Sequence, residues 1–215
     1  MLNKSLLTVL GAAAIVAGFA NSAAAFTFTE SGDAGETLET AQEVGAGVTA
    51  IAGRISLDNV DLFSFTWAGG LFGATTEPDS QRTLDDTQLF LFDAAGLGIV
   101  ANDDTANAPG FRSTITPFQL AAGTYFLGIS GYDNDPFSAG GAIFPDTPLS
   151  GQLAPTGPGG NQPLVGWDNR FGEAGTYRIA LSGPTSAAVP EPMTILGTML
   201  AAGLGVAAKK RNKKA

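Results

Sequence analysis

The chain contains no cysteine and no histidine. Disulfide staples are thereby excluded, together with His-based triads, thiol nucleophiles and the usual zinc and copper centres. Catalysis, if any, is confined to carboxylates, and stability must come from a buried core, to which an oxygen-liganded cation such as Ca2+ can add. Lysine is missing between Phe26 and Pro190. The bases of that stretch are Arg54, Arg82, Arg112, Arg170 and Arg178, set against 19 acids for a net charge of −14. So acidic a surface repels phosphate backbones, which argues against nucleic acid and favours divalent cations or neutral and cationic polymers.

Long apolar runs occur only at the two ends. Near the start, Lys4 is the lone charge, Leu6 to Phe19 is apolar, and Ala23-Ala24-Ala25 supplies small residues. This pattern predicts a signal peptide over 1–25, cut by signal peptidase between Ala25 and Phe26. At the other end stand Pro190-Glu191-Pro192, an uncharged run from Met193 to Ala208, and Lys209-Lys210-Arg211-Asn212-Lys213-Lys214-Ala215. Each proline fixes its own φ and biases its predecessor away from helix, so the motif is a stiff, accessible peptide. The run of 16 residues is short of the ~20 that span a bilayer. Snorkelling lysines and local thinning make up the difference, and the basic end stays cytoplasmic.

A permanent tail anchor would need the apolar run and the bases but not Pro-Glu-Pro. The three parts together resemble the PEP-CTERM sorting signal. That resemblance implies recognition of Pro190, Glu191 and Pro192, as substrate residues, by an exosortase-type membrane protease. It also implies a transient hold in the inner membrane, then release or attachment at the cell surface of a Gram-negative-type bacterium. The expected layout is a signal peptide (1–25), one domain (26–184), a linker with the Pro-Glu-Pro motif (185–192), a transmembrane helix (193–208) and a basic tail (209–215).

Between the signals the pattern has period two. In Val60-Asp61-Leu62-Phe63-Ser64-Phe65-Thr66-Trp67, Phe63, Phe65 and Trp67 share one face. Tyr125, Leu127 and Ile129 align after Ala122-Gly123-Thr124, and Tyr177, Ile179 and Leu181 after Ala174-Gly175-Thr176. In both, glycine permits a kink before the strand and the tyrosine is expected to cap the core with its hydroxyl in water. Further strands are expected at Val48–Ser56, Leu71–Thr76, Thr87–Phe92, Gly98–Ala101 and Ser113–Leu120, with a weaker one at Phe26–Thr29. Glu36–Glu43 reads as one helical turn. The expected fold class is all-β, an antiparallel β-sandwich of jelly-roll type with about eight strands.

The segment 133–172 breaks this rhythm with six prolines and the pairs Gly140-Gly141 and Gly159-Gly160. Its apolar members, Trp167 among them, suggest a long loop folded back over the sandwich. The order of the fragments resembles the bacterial pre-peptidase C-terminal (PPC) domain over about Thr37 to Ser182. The residues that carry it are Asp58-Asn59-Val60-Asp61-Leu62-Phe63-Ser64-Phe65, Asp86-Thr87-Gln88-Leu89-Phe90-Leu91-Phe92-Asp93, Gly96, Asn102-Asp103-Asp104, Ala122-Gly123-Thr124-Tyr125 and Gly175-Thr176-Tyr177. The 133–172 insertion departs from that family. The resemblance implies a non-catalytic sandwich, in some members an accessory module that binds calcium or substrate.

The strongest constellation is an acidic hairpin. Asp93-Ala94-Ala95-Gly96 reads as a tight turn, and pairing Phe92 with Leu97 sets Asp86 opposite Asp103 and Asp85 opposite Asp104. Like charges across a sheet are destabilising unless solvated or bridged by a hard cation, which suits Ca2+. Asp58 and Asp61 flank a strand start and read best as a turn and a strand-entry carboxylate, joining the cluster only if the sandwich brings that end alongside Asp86, while Asp133-Asn134-Asp135 offers alternate oxygen donors without EF-hand spacing. Trp67, Trp167, Tyr132 and Phe137 are aromatics able to stack on sugar rings. Trp67 fits the core better; Trp167 and Tyr132 are the ligand-binding candidates, although burial is the favoured reading for Trp167. The leading expectation is a non-enzymatic surface or matrix protein associated with exopolysaccharide. A calcium-stabilised carbohydrate-binding or adhesive module is the alternative. A carboxylate hydrolase comes third, since it needs two acids across a cleft.

Overall fold

The computed structural model describes residues 26–57, 59–77, 82–106, 108, 110–168 and 173–187. The predicted signal peptide with Ala25, the Pro190-Glu191-Pro192 motif, the apolar run, the basic tail and Asp58 lie outside the described residues. Alternation builds the central layer as the sequence predicts. Strands β3 (Val48–Ile55), β4 (Asp61–Trp67), β5 (Gly70–Thr75), β6 (Thr87–Asp93), β7 (Gly98–Asn102), β8 (Thr114–Leu120), β9 (Gly123–Gly131) and β14 (Gly175–Leu181) carry the long pairings. Short strands β1 (Phe26–Thr29), β2 (Gln42–Val44), β10 (Pro136–Ser138), β11 (Gly141–Ala142), β12 (Gln152–Leu153) and β13 (Leu164–Trp167) complete an all-β chain, with no helix among the described residues.

Five strands form one sheet in the order β1-β3-β14-β5-β8, and six form another in the order β12-β7-β6-β9-β4-β2. One buried core draws from both: Phe63, Phe65 and Trp67 of β4 and Leu127 and Ile129 of β9 meet Ile51, Phe72, Ile115 and Ile179. Phe65 stacks on Phe72 at 5.4 Å, and Trp67 meets Phe72 edge-on at 5.2 Å between ring centres. Each such side chain contributes about 1.5–3 kcal/mol on burial. Trp67 is thus core, as its alternation predicts.

Several expectations need correction. Fourteen strands form among the described residues rather than about eight: the 133–172 segment supplies four short ones, β10 to β13, and β1 and β2 add two more at the front of the domain. Two pairings between these strands are parallel, β1 with β3 and β2 with β4. β2 lies in the opposite sheet from β1 and β3, so the chain crosses over between them and cannot turn back as a hairpin. The helical turn expected at Glu36–Glu43 is confined to bonds from the Thr40 and Ala41 amides to the Thr37 carbonyl; Gln42 and Glu43 enter β2. Both repeated tyrosines hydrogen-bond their hydroxyls to the chain, and that of Tyr177 does not reach water. Tyr125 donates to the Ala121 carbonyl at 3.0 Å, and the fully buried Tyr177 donates to Asp61 Oδ2 at 2.6 Å.

Glycine before Tyr177 is required by a close approach. A Cβ on Gly175 would stand 2.4 Å from the Leu84 amide nitrogen, where the Thr83 and Leu84 amides both donate to the Thr176 carbonyl.

The insertion forms a third layer. A second buried cluster joins Val60, Leu62, Phe90, Phe92, Ala101 and Phe126, on the outer face of the six-stranded sheet, to Ile143, Phe144, Leu164 and Trp167. β10 pairs with β11 and β13 above it, and β12 joins the main sheet beside β7. The covering role expected of this segment is therefore what it performs. Beyond β14, the Thr185 amide donates to the Val48 carbonyl and the Ser186 amide to the Thr66 carbonyl, so ordered pairing runs past residue 184.

Candidate cation site

The acidic hairpin forms, but not in the predicted register. The Gly96 amide closes the turn on the Asp93 carbonyl at 2.9 Å with Gly96 at φ +80°. Asp93 Oδ1 accepts from the Ala95 and Leu97 amides, at 2.9 Å each. The turn already sets Phe92 against Gly98 rather than Leu97, a bulge between Leu91 and Phe92 shifts the ladder by one more residue, and pairing of the two strands stops where Leu89 faces Asn102. Asp86 and Asp103 are consequently not ladder partners. The chain beyond Leu89 and Asn102 nevertheless folds Asp86, Asp103 and Asp104 together, and one carboxylate oxygen from each lies within 4.8 Å of the others.

Asp85 is the correction. It is exposed, and its Oδ1 accepts from Arg112 Nη2 at 3.0 Å instead of joining the cluster. The loop that carries Arg112 reaches this point because Phe111 bridges to Asp86 and the Thr87 amide donates to the Phe111 carbonyl.

Position within the cluster is set by the backbone. Asn102, at the end of β7, donates through Nδ2 to the carbonyls of Asp104 at 2.9 Å and Gly151 at 2.7 Å. Its Oδ1 accepts from the Thr114 amide. The Asp104 amide donates to the Leu149 carbonyl and the Gly151 amide to the Asp104 carbonyl, which ties the acids to the covering layer.

The electrostatics are unrelieved. The Oδ1 atoms of Asp86, Asp103 and Asp104 are sealed from solvent and have no hydrogen-bond partner. Asp103 is only 4% exposed. Burial, then the charges of Asp104, Asp86, Asp135 and Asp133, push its carboxyl up to about 7. Burial, with Glu173 and Asp104 nearby, pushes Asp86 to about 6, and burial also raises Asp104. Both effects disfavour the charged form.

Two other acid groups lie elsewhere. Asp133 and Asp135 meet Asp146, which no sequence spacing announced. Here Gln88 organises the loop: its Nε2 donates to Asp135 Oδ1 at 3.1 Å, and its Oε1 accepts from Ser130 Oγ and the Asn134 amide, at 3.2 Å each. Burial and the charge of Asp168 push Asp135 to about 6. Asp61 does not join the hairpin acids; it gathers instead with Glu30 and Asp33. Each member there has a donor: the Arg54 amide for Glu30 Oε2 at 2.8 Å, Asn59 Nδ2 for Asp33 Oδ1 at 2.8 Å, and Tyr177 for Asp61.

Of the two ligand-binding aromatics, one is lost to the core. Trp167 is buried, its Nε1 donating to the Glu36 carbonyl at 2.9 Å and its ring edge-on to Phe90 at 5.4 Å and Phe92 at 6.2 Å. Tyr132 is 38% exposed and borders a depression lined also by Asp103, Asp133, Asp135 and Asp146. The free space there is about 10 Å³, room for roughly one water or a bare ion.

No protein-family model matches the chain, and no curated protein matches it.

Proposed function

We propose that the chain is an exported, non-catalytic cell-surface or matrix protein, a PPC-like β-sandwich sorted by an exosortase-type protease and associated with exopolysaccharide. The observation that carries this reading is the division of charge. All 19 acids of residues 26–190 stand with five arginines and no lysine, and the five cations of the tail lie beyond the apolar run that follows Pro190-Glu191-Pro192. Such a chain is built to be held by its tail while an acidic domain is delivered outside. The paired sheets around one core support the sandwich assignment.

The test is the intact mass of the exported protein from a host with and without the exosortase-type protease. Loss of both terminal segments only when the protease is present is the expected result. A mature protein that retains residues 193–215 in both hosts would overturn the sorting reading. The exposure of Tyr132 beside the acids favours a second reading, a carbohydrate-binding or adhesive module. It is checked on a glycan array with Ca2+ present, where binding should fall on Tyr132→Ala; an array with no signal ends it.

A further inference from the structure

We propose that Asp86, Asp103 and Asp104 hold a divalent hard cation, Ca2+ by the chemistry of the donors, at the seam between the β6–β7 hairpin and the covering layer. This inference is independent of the sorting reading, because it concerns the folded domain alone and is tested in solution.

Three observations converge. First, oxygens of the three carboxylates lie within 4.8 Å of one another, a spread matched to a cation whose bonds of 2.3–2.6 Å set opposite ligands about 4.6–5.2 Å apart. Second, Asp103 is 4% exposed and its Oδ1, like those of Asp86 and Asp104, is buried without a donor. A solvated acidic turn would keep such oxygens in water, and a structural acid would meet an amide, hydroxyl or guanidinium. The nearby Arg112 pairs instead with Asp85. Buried acceptors left unmade cost about 1–3 kcal/mol each, and more when charged. Third, the placement is enforced rather than accidental. Asn102 and the Asp104 backbone clamp the cluster to Gly151 and Leu149 across the seam, so repulsion among the acids cannot be relieved by letting the turn swing out.

The other acid triads differ. Glu30 Oε1 and Asp61 Oδ1 are likewise buried without a partner, but each carboxylate of that triad accepts one hydrogen bond and Asp33 is exposed. Asp135 is engaged by Gln88, and Asp146 is exposed. An oxygen-only donor set of carboxylates selects a hard cation over zinc or copper.

The experiment is calorimetric titration of the metal-stripped full chain in detergent with CaCl2, with thermal melts in EDTA and in Ca2+. Binding with Kd of about 10⁻³ M or tighter and a Tm rise of about 5 °C at a hundredfold excess over Kd are expected. Asp103→Asn should weaken binding at least about tenfold and abolish the Tm response. It should also melt no lower than wild type in EDTA, since it removes a repelling charge. This crossed pattern would not arise from a residue that merely holds the fold. Asp104→Asn, at a half-buried position, supplies the same test if Asp103→Asn does not fold, and Asp85→Asn should bind as wild type. The proposal is overturned if neither heat nor a Tm shift appears at millimolar Ca2+, or if both Asn variants bind unchanged. Loss of binding on Asp135→Asn but not on Asp103→Asn or Asp104→Asn would likewise overturn it, by moving the ion to the outer triad.

Discussion

The Tyr177 hydroxyl donates a 2.6 Å hydrogen bond to Asp61 Oδ2, joining β14 of the five-stranded sheet to the first residue of β4 in the six-stranded sheet. Both residues are fully buried. The phenol is the donor that a carboxylate sealed from water requires, and burial, then the neighbouring carboxylate, pushes the phenol's own ionisation upward.

Removing that donor should therefore cost more than the packing of one oxygen. Tyr177→Phe keeps the ring against Phe63 but strands the acid, and should destabilise the protein by about 1–3 kcal/mol in urea denaturation at neutral pH. Pairing it with Asp61→Asn should cost less than the sum of the two single changes. Strict additivity would show that the bond carries no coupling.

Acidity follows from the same pair. Burial, opposed by the Tyr177 bond and reinforced by Glu30, Asp33 and Glu36, pushes Asp61 from 3.8 to about 7. The folded state thus binds this proton more tightly than the unfolded chain, and between those two values stability falls as pH rises. In EDTA the Tm should be higher at about pH 5 than at about pH 8, and Asp61→Asn should lessen that dependence, leaving the share carried by Asp86, Asp103 and Asp135. A Tm that climbs steadily over this range would contradict the assignment.

Trp167 gives a prediction that separates the two readings open to it in the sequence, core and surface. Its ring fills the second core between Phe90 and Phe92, so Trp167→Ala should lower stability by about 3–5 kcal/mol. The measurement is chemical denaturation; unchanged stability with altered glycan binding would return the residue to the surface.

Gly175→Ala places a methyl 2.4 Å from the Leu84 nitrogen. The obstacle is backbone, which cannot rotate away as a side chain can, so the substitution should cost about 1–3 kcal/mol. Amide exchange should accelerate first at Thr83 and Leu84, whose amides donate to the Thr176 carbonyl.

Local alternation made the central strands legible: Phe63, Phe65 and Trp67 declare their face because polar residues interrupt them. The uninterrupted Leu89-Phe90-Leu91-Phe92 carries a different pattern, that of a strand buried on both sides, and the third layer supplies its second cover. Register was not legible. The turn and a bulge after Leu91 each offset the ladder from its predicted pairing; Asp85 meets Arg112 outside the acid cluster, although Asp86, Asp103 and Asp104 still meet. Nor was the environment of Trp167, an isolated ring among glycines and prolines with no period to assign it a side. Asp146 and the Glu30–Asp33–Asp61 group depend on long-range closure, which spacing along the chain does not encode.

Thr185 and Ser186 tie one short stretch of chain to β3 in one sheet and to β4 in the other. A pull applied to the C-terminal side of Ser186 is therefore shared between both layers from the first residue it meets. It cannot peel an edge strand one bond at a time. The attachment acts as a mechanical clamp, and single-molecule stretching from that end should meet an abrupt rupture rather than a gradual unzipping.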